Sequence, residues 1–141
     1  MKDLEINPEK TKKQLVEFIK KETQDAGFSR AIFGISGGLD SATVAYLCAE
    51  AFGKGSVYGV LMPYKTMPKN AIEDAERIIK ETGINREYID ITKMVDSYFE
   101  IANDGDRLRR GNKMARERMS ILYDLSTKYK ALVIGTGNKS E

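Results

Sequence analysis

Ser36-Gly37-Gly38-Leu39-Asp40-Ser41 gathers two glycines, two hydroxyls and one carboxylate into six consecutive residues. A short, nearly unbroken apolar run, 31–35, leads into it, as expected of a strand buried on both faces. An apolar-rich stretch over 42–52, closed by Gly53, follows it and reads as a helix. A helix that opens just beyond a strand presents unsatisfied backbone N–H groups and the positive end of its dipole. That is an anion site, and paired glycines allow the backbone to approach a phosphate closely. Asp40 adds a constraint, because a carboxylate beside bound phosphate is repulsive unless a cation lies between them; Mg²⁺ bridging Asp40 and phosphate oxygens resolves the conflict. The bland alternative is a structural strand–helix turn in which Asp40 and Ser41 merely cap the helix.

The rest of the composition narrows the chemistry. The chain has no histidine and one cysteine, Cys48, which removes Ser-His-Asp and Cys-His nucleophilic catalysis and any multi-cysteine zinc site within one chain. With 23 basic and 21 acidic residues the net charge is +2, so no nucleic-acid or membrane partner is demanded. No stretch approaches the roughly 20 apolar residues of a membrane span, and the charged start of the chain lacks a signal-peptide core, so a cytoplasmic protein is expected. The turn matches neither G-x-G-x-x-G nor G-x-x-x-x-G-K-[ST]; Gly53-Lys54-Gly55-Ser56 has the flavour of the latter but precedes a strand.

The elements that must position the turn alternate. Asn7-Pro8-Glu9 reads as a helix start, with Leu15, Val16, Phe18 and Ile19 as the apolar stripe and Gly27 as the stop. After the turn and its helix, strands are expected over 56–61, 87–91 and 131–134. Helices are expected over 68–82, from 91 to about 101, and over 108–129. The mixed-charge segment with Asp104, Asp106, Arg107, Arg109 and Arg110 reads as a surface loop. The fold class is therefore α/β, a doubly wound parallel sheet with helices on both faces. With 141 residues, a single domain over 1–141 is expected. The seven residues after the last strand look like a functional loop, from which a domain truncated at its carboxyl end is also expected.

In its strand–turn–helix setting the six-residue string resembles SGGxDS, the signature of the PP-loop ATP pyrophosphatases. These include NAD⁺ synthetase, GMP synthetase, asparagine and argininosuccinate synthetases and tRNA-modifying enzymes. The resemblance implies adenylation of a carboxylate or carbonyl oxygen by ATP with release of pyrophosphate. Two later blocks are similar to the ammonia-dependent NAD⁺ synthetase family. Gly111-Asn112-Lys113-Met114-Ala115-Arg116-Glu117-Arg118-Met119 matches G-N-x-x-A-R-x-R-M, and Gly135-Thr136-Gly137-Asn138-Lys139-Ser140-Glu141 matches G-T-x-N-K-S-E.

That resemblance implies an adenine nucleotide alpha hydrolase-like fold and assigns roles by position. Gly34, Ile35, Ser36, Gly37, Gly38, Leu39, Asp40 and Ser41 would hold the ATP phosphates, with Asp40 and Glu141 on Mg²⁺. Thr136 would contact ATP, and Met62, within Leu61-Met62-Pro63-Tyr64, would line the adenine site. Arg116 would contact deamido-NAD⁺. The implied reaction is ATP-dependent amidation of deamido-NAD⁺ by ammonia, with AMP and pyrophosphate as products and no side-chain nucleophile. A homodimer is implied as well, with 108–129 the candidate interface helix, since Met119, Ile121, Leu122, Tyr123 and Leu125 make it apolar over more than one narrow stripe. Taken alone, Arg116 and Arg118 read as a solvated helix face, Thr136 as a turn cap, and Met114 and Met119 as core or dimer contacts. The alternatives are another PP-loop adenylating enzyme, GMP synthetase-like or tRNA-modifying, and an inactive ATP-binding fragment.

Overall fold

In the computed structural model, residues 8–103 and 105–135 are described. Helix α1 spans Pro8–Asp25, strand β1 Ala31–Gly34, helix α2 Leu39–Phe52 and strand β2 Val57–Leu61. They are followed by α3 (Lys69–Thr82), β3 (Asn85–Tyr88), α4 (Thr92–Ala102), α5 (Arg107–Tyr129) and β4 (Leu132–Val133). All pairings are parallel and the strand order is β3-β2-β1-β4. The chain leaves β1 toward β2 on one side and returns to pair β4 on the other, so the direction of winding reverses beside β1.

Alternating side chains of the strands feed two separate cores, as a sheet covered on both faces requires. Ala31, Phe33, Val57 and Leu61 pack with Ala45 and Cys48 of α2 and Ile78 and Ile79 of α3. Ile32 and Val60 face the other way, onto Val95 and Phe99 of α4 and Leu122 and Leu125 of α5. Phe33, Ile32 and Leu61 are among the largest fully buried side chains, and removing each from water contributes about 1.5–3 kcal/mol.

Several elements depart from the sequence expectation. Strand β3 lies at 85–88 rather than 87–91. Its residues Asn85, Arg86, Glu87 and Tyr88 form a polar edge with alternating exposure, so the apolar signal came from residues beyond it. Ile91, fully buried, has by then left the ladder, donates its N–H to the Pro63 carbonyl and packs against α4 and α5. In α1, Ile19 reaches the core while Leu15 and Phe18 are exposed, because the four apolar residues are spread round more of the helix than its narrow seat on α2 covers. The mixed-charge segment is not open loop: Arg107, Arg109 and Arg110 form the first turn of α5, and Asp106 caps it, its Oδ1 accepting the Arg109 N–H at 2.8 Å. Asn7 and Asp104 lie outside the described residues.

Candidate active site

The carboxyl ends of β1 and β2 open onto one cleft, the place where doubly wound sheets bind ligands. Beyond Gly34 the Ile35 N–H still bonds the Val60 carbonyl, at 2.9 Å, so the glycine-rich turn starts from a point fixed to the sheet. Helix α2 begins at Leu39, three residues earlier than the apolar pattern indicated, which places Asp40 and Ser41 inside its first turn. The first N–H to bond back is that of Ala42, to the Gly38 carbonyl at 3.1 Å. The helix amides ahead of it have no place in the helix ladder and are donors for a ligand.

The shape of the turn depends on Gly37. Its φ is +86°, and a Cβ built there would lie 2.4 Å from the Ala71 carbonyl oxygen of α3. Both facts require glycine, and together they press the turn against α3. The two serines clasp the turn from within. The Ser36 N–H donates to Ser41 Oγ at 3.2 Å, and the two hydroxyl oxygens are 3.1 Å apart. Ser41 is buried, so its primary bond is to the protein, while Ser36 lines the cleft. Leu39 is 82% exposed and Asp40 is likewise exposed.

The cleft has a volume of about 440 Å³. Ile35, Val60, Met62 and Met114 make its walls largely apolar, a surface suited to a flat base, with Ser36 at the phosphate end. The segment after β2 is held rigidly. Tyr64 is buried and its hydroxyl donates to Asp96 Oδ1, while Lys65 Nζ donates to Asp96 Oδ2 at 2.7 Å. Arg110 of α5 reaches the same centre, 3.1 Å from Asp96 Oδ1 and 3.2 Å from the Tyr64 hydroxyl. The hydrogen bonds from Lys65 and Tyr64, then the charges of Lys65 and Arg110, hold the Asp96 carboxyl below the usual carboxylate range.

Met62 is in the cleft as expected, its side chain buried in the wall. Its carbonyl, however, accepts the Arg118 Nε–H at 2.9 Å. Arg116 does not join this cluster. It lines a separate depression of about 330 Å³ on the α4 side of α5, with Tyr98, Phe99, Arg109, Asn112 and Lys113. Thr136 and Glu141 lie outside the described residues. Sequence reasoning missed the contribution of Arg118, because two arginines two positions apart point ~200° away from each other on a helix and nothing local says which faces the sheet.

Asp40 fits a Mg²⁺ site of one kind only. Among the described residues there is no group of three or more metal-ligating side chains. A single exposed carboxylate next to a phosphate nest suits Mg²⁺, which is commonly held by one or two carboxylates together with phosphate oxygens and water.

Comparison with known proteins identifies the family. The NAD synthase family model matches residues 11–141. The NH(3)-dependent NAD(+) synthetase of Fusobacterium nucleatum is 47% identical over the whole chain, which covers 55% of that protein. Among solved structures, the NH3-dependent NAD synthetase of Campylobacter jejuni superposes with a TM-score of 0.89 at 34% identity, over 97% of this chain and 59% of that one. The glutamine-dependent NAD+ synthetase of Acinetobacter baumannii, in complex with ADP, superposes with a TM-score of 0.83 at 32% identity, over 90% of this chain and 25% of that one. The chain spans about half the length of the curated relatives it matches. A nest at the head of α2, an apolar cleft beside it and a family match over nearly the whole chain lead to one conclusion: the chain belongs to the NAD synthase family.

Proposed function

We propose that the chain carries the ATP site of an ammonia-dependent NAD⁺ synthetase and serves the amidation of deamido-NAD⁺. The observation that carries this reading is the turn itself: Gly37 is seated against Ala71, Ser36 lines a cleft with apolar walls, and the first amides of α2 stand outside the helix ladder. In this reading Gly34 to Ser41 cradle ATP phosphates, and Met62 with Ile35 and Val60 flanks adenine. Thr136 also contacts ATP. Asp40 and Glu141 hold Mg²⁺, which supplies charge neutralisation at the phosphates. Arg116 receives deamido-NAD⁺, and the depression it lines, with aromatic Tyr98 and Phe99 and cationic Lys113, suits an aromatic ligand bearing phosphates.

The reaction places two bond exchanges in sequence. The nicotinate carboxylate attacks the α-phosphorus of ATP, the bond to the bridging oxygen breaks and pyrophosphate leaves. Ammonia then attacks the acyl carbon, loses a proton, and AMP departs. Neither step needs a side-chain nucleophile, and the residues of the cleft act by holding reactants in line and stabilising phosphate charge. That division of labour suits a chain without histidine. A homodimer through α5 belongs to the same reading, supported by the exposure of Leu108, Met119 and Tyr123 along that helix, whereas Ile121, Leu122 and Leu125 are taken up by the core.

The test is exchange of labelled pyrophosphate into ATP by the full chain in the presence of deamido-NAD⁺, XMP or tRNA. Exchange stimulated by deamido-NAD⁺ is expected. Exchange with XMP or tRNA and none with deamido-NAD⁺ would refute the reading in favour of another PP-loop enzyme.

A further inference from the structure

Arg118 occupies an unusual position for a cation. It projects from α5 into the cleft beneath the carboxyl ends of β1 and β2, and is half-buried there. No described carboxylate pairs with it; its contact is the hydrogen bond from Nε to the Met62 carbonyl. Other arginines of the chain have acidic partners, Arg110 on Asp96 and Arg86 on Glu76. Desolvation depresses the Arg118 pKa, which expresses the cost of holding this charge away from water without a counterion. A half-buried guanidinium stays charged, so an anion entering the cleft removes a cost already present in the free protein.

The geometry also constrains which atoms receive that anion. With Nε committed to Met62, the two terminal nitrogens keep four N–H donors in a planar fork. Arg118 lines the same cleft as Ser36, at the phosphate nest, and Met62, at the apolar wall. A nucleotide with its base on that wall and its distal phosphates on the nest brings its sugar-proximal phosphate between them. We propose that Arg118 is a nucleotide-binding residue whose terminal guanidinium nitrogens hold the α-phosphate of ATP, with the Met62 carbonyl fixing the side chain in that orientation. This assignment rests on the functional reading above and adds to it a ligand for the phosphate at which the first step occurs.

The experiment compares the full chain with Arg118→Lys and Arg118→Gln. Calorimetry reads ATP·Mg²⁺ affinity, and ³¹P NMR of the saturated complexes reads the three phosphorus resonances separately. Loss of one charge-assisted contact predicts affinity lowered roughly 10- to 100-fold in R118Q, with partial retention in R118K. The α-phosphorus resonance of bound ATP is expected to move in both variants, and the γ resonance to stay in place. If the unmodified chain binds ATP·Mg²⁺ and both variants bind it equally well, the assignment fails while the functional reading stands. Weakened binding with an unmoved α resonance would also overturn it, since Arg118 would then act only as a prop for Met62. An unmodified chain that binds no ATP·Mg²⁺ would refute the functional reading and this assignment together.

Discussion

Replacing Gly37 with alanine separates the two reasons for glycine in the turn, because Gly27 provides an internal reference. Gly27 has φ +87° and no atom within 4 Å of a built Cβ, whereas Gly37 has φ +86° and the Ala71 carbonyl oxygen at 2.4 Å. Gly27→Ala therefore meets only the dihedral cost of about 1–2 kcal/mol, reduced by about 0.4–1 kcal/mol from stiffening of the unfolded chain. Gly37→Ala has the same dihedral cost plus a clash with backbone that has no rotamer to escape into, adding about 1–3 kcal/mol. The difference between the variants, about 1–3 kcal/mol on this basis, is measured by urea unfolding followed by circular dichroism. Relief of the clash requires the turn to lift from α3, which displaces the amides at the head of α2. Loss of ATP·Mg²⁺ affinity is therefore expected for Gly37→Ala and not for Gly27→Ala. Equal stability of the two variants with full nucleotide affinity in both would refute the account of the turn.

Further outcomes follow from the same structure. Asp40→Asn is expected to weaken ATP·Mg²⁺ binding and to shift unfolding stability by no more than about 0.5 kcal/mol, since Asp40 is exposed; calorimetry and urea unfolding read the two effects. Asp96→Asn tests the polar centre behind the cleft. Because the folded pKa of Asp96 is depressed, its stabilisation is present above the unfolded value of about 3.9 and is lost as pH falls through the lower folded value. Unfolding curves of D96N and the unmodified chain should thus differ at pH 7 and converge under strong acid. Cys48 is buried and its thiol is pushed up to about 12, so labelling by a thiol reagent at pH 8 should be slow in the folded chain and fast in urea.

The elements that carry the site were readable because their signals are local. An apolar run, two glycines and an apolar helix specify β1, the turn and α2 without reference to anything distant. Strand β3 was misplaced because an edge strand has little apolar content to announce it, while Ile91, just beyond it, packs on the opposite core. Contacts between segments were not readable at all. The seat of Gly37 on Ala71 joins the turn to α3, and Asp96 gathers partners from the segment after β2 and from α5. Arg116 and Arg118 share a motif, and only the rotation of α5 about its axis decides that Arg118 enters the cleft while Arg116 faces α4.

The central claim is that the turn at the head of α2 receives ATP phosphates. Amide resonances followed by two-dimensional NMR during titration of the full chain with ATP·Mg²⁺ test it residue by residue. The account predicts saturable shifts, largest at Gly37, Gly38, Leu39 and Asp40 and smaller along Met62 to Tyr64. Shifts confined to the lysine-rich groove between α1 and α2, around Lys12, Lys13 and Lys20, or no saturable shift at millimolar nucleotide, would contradict it.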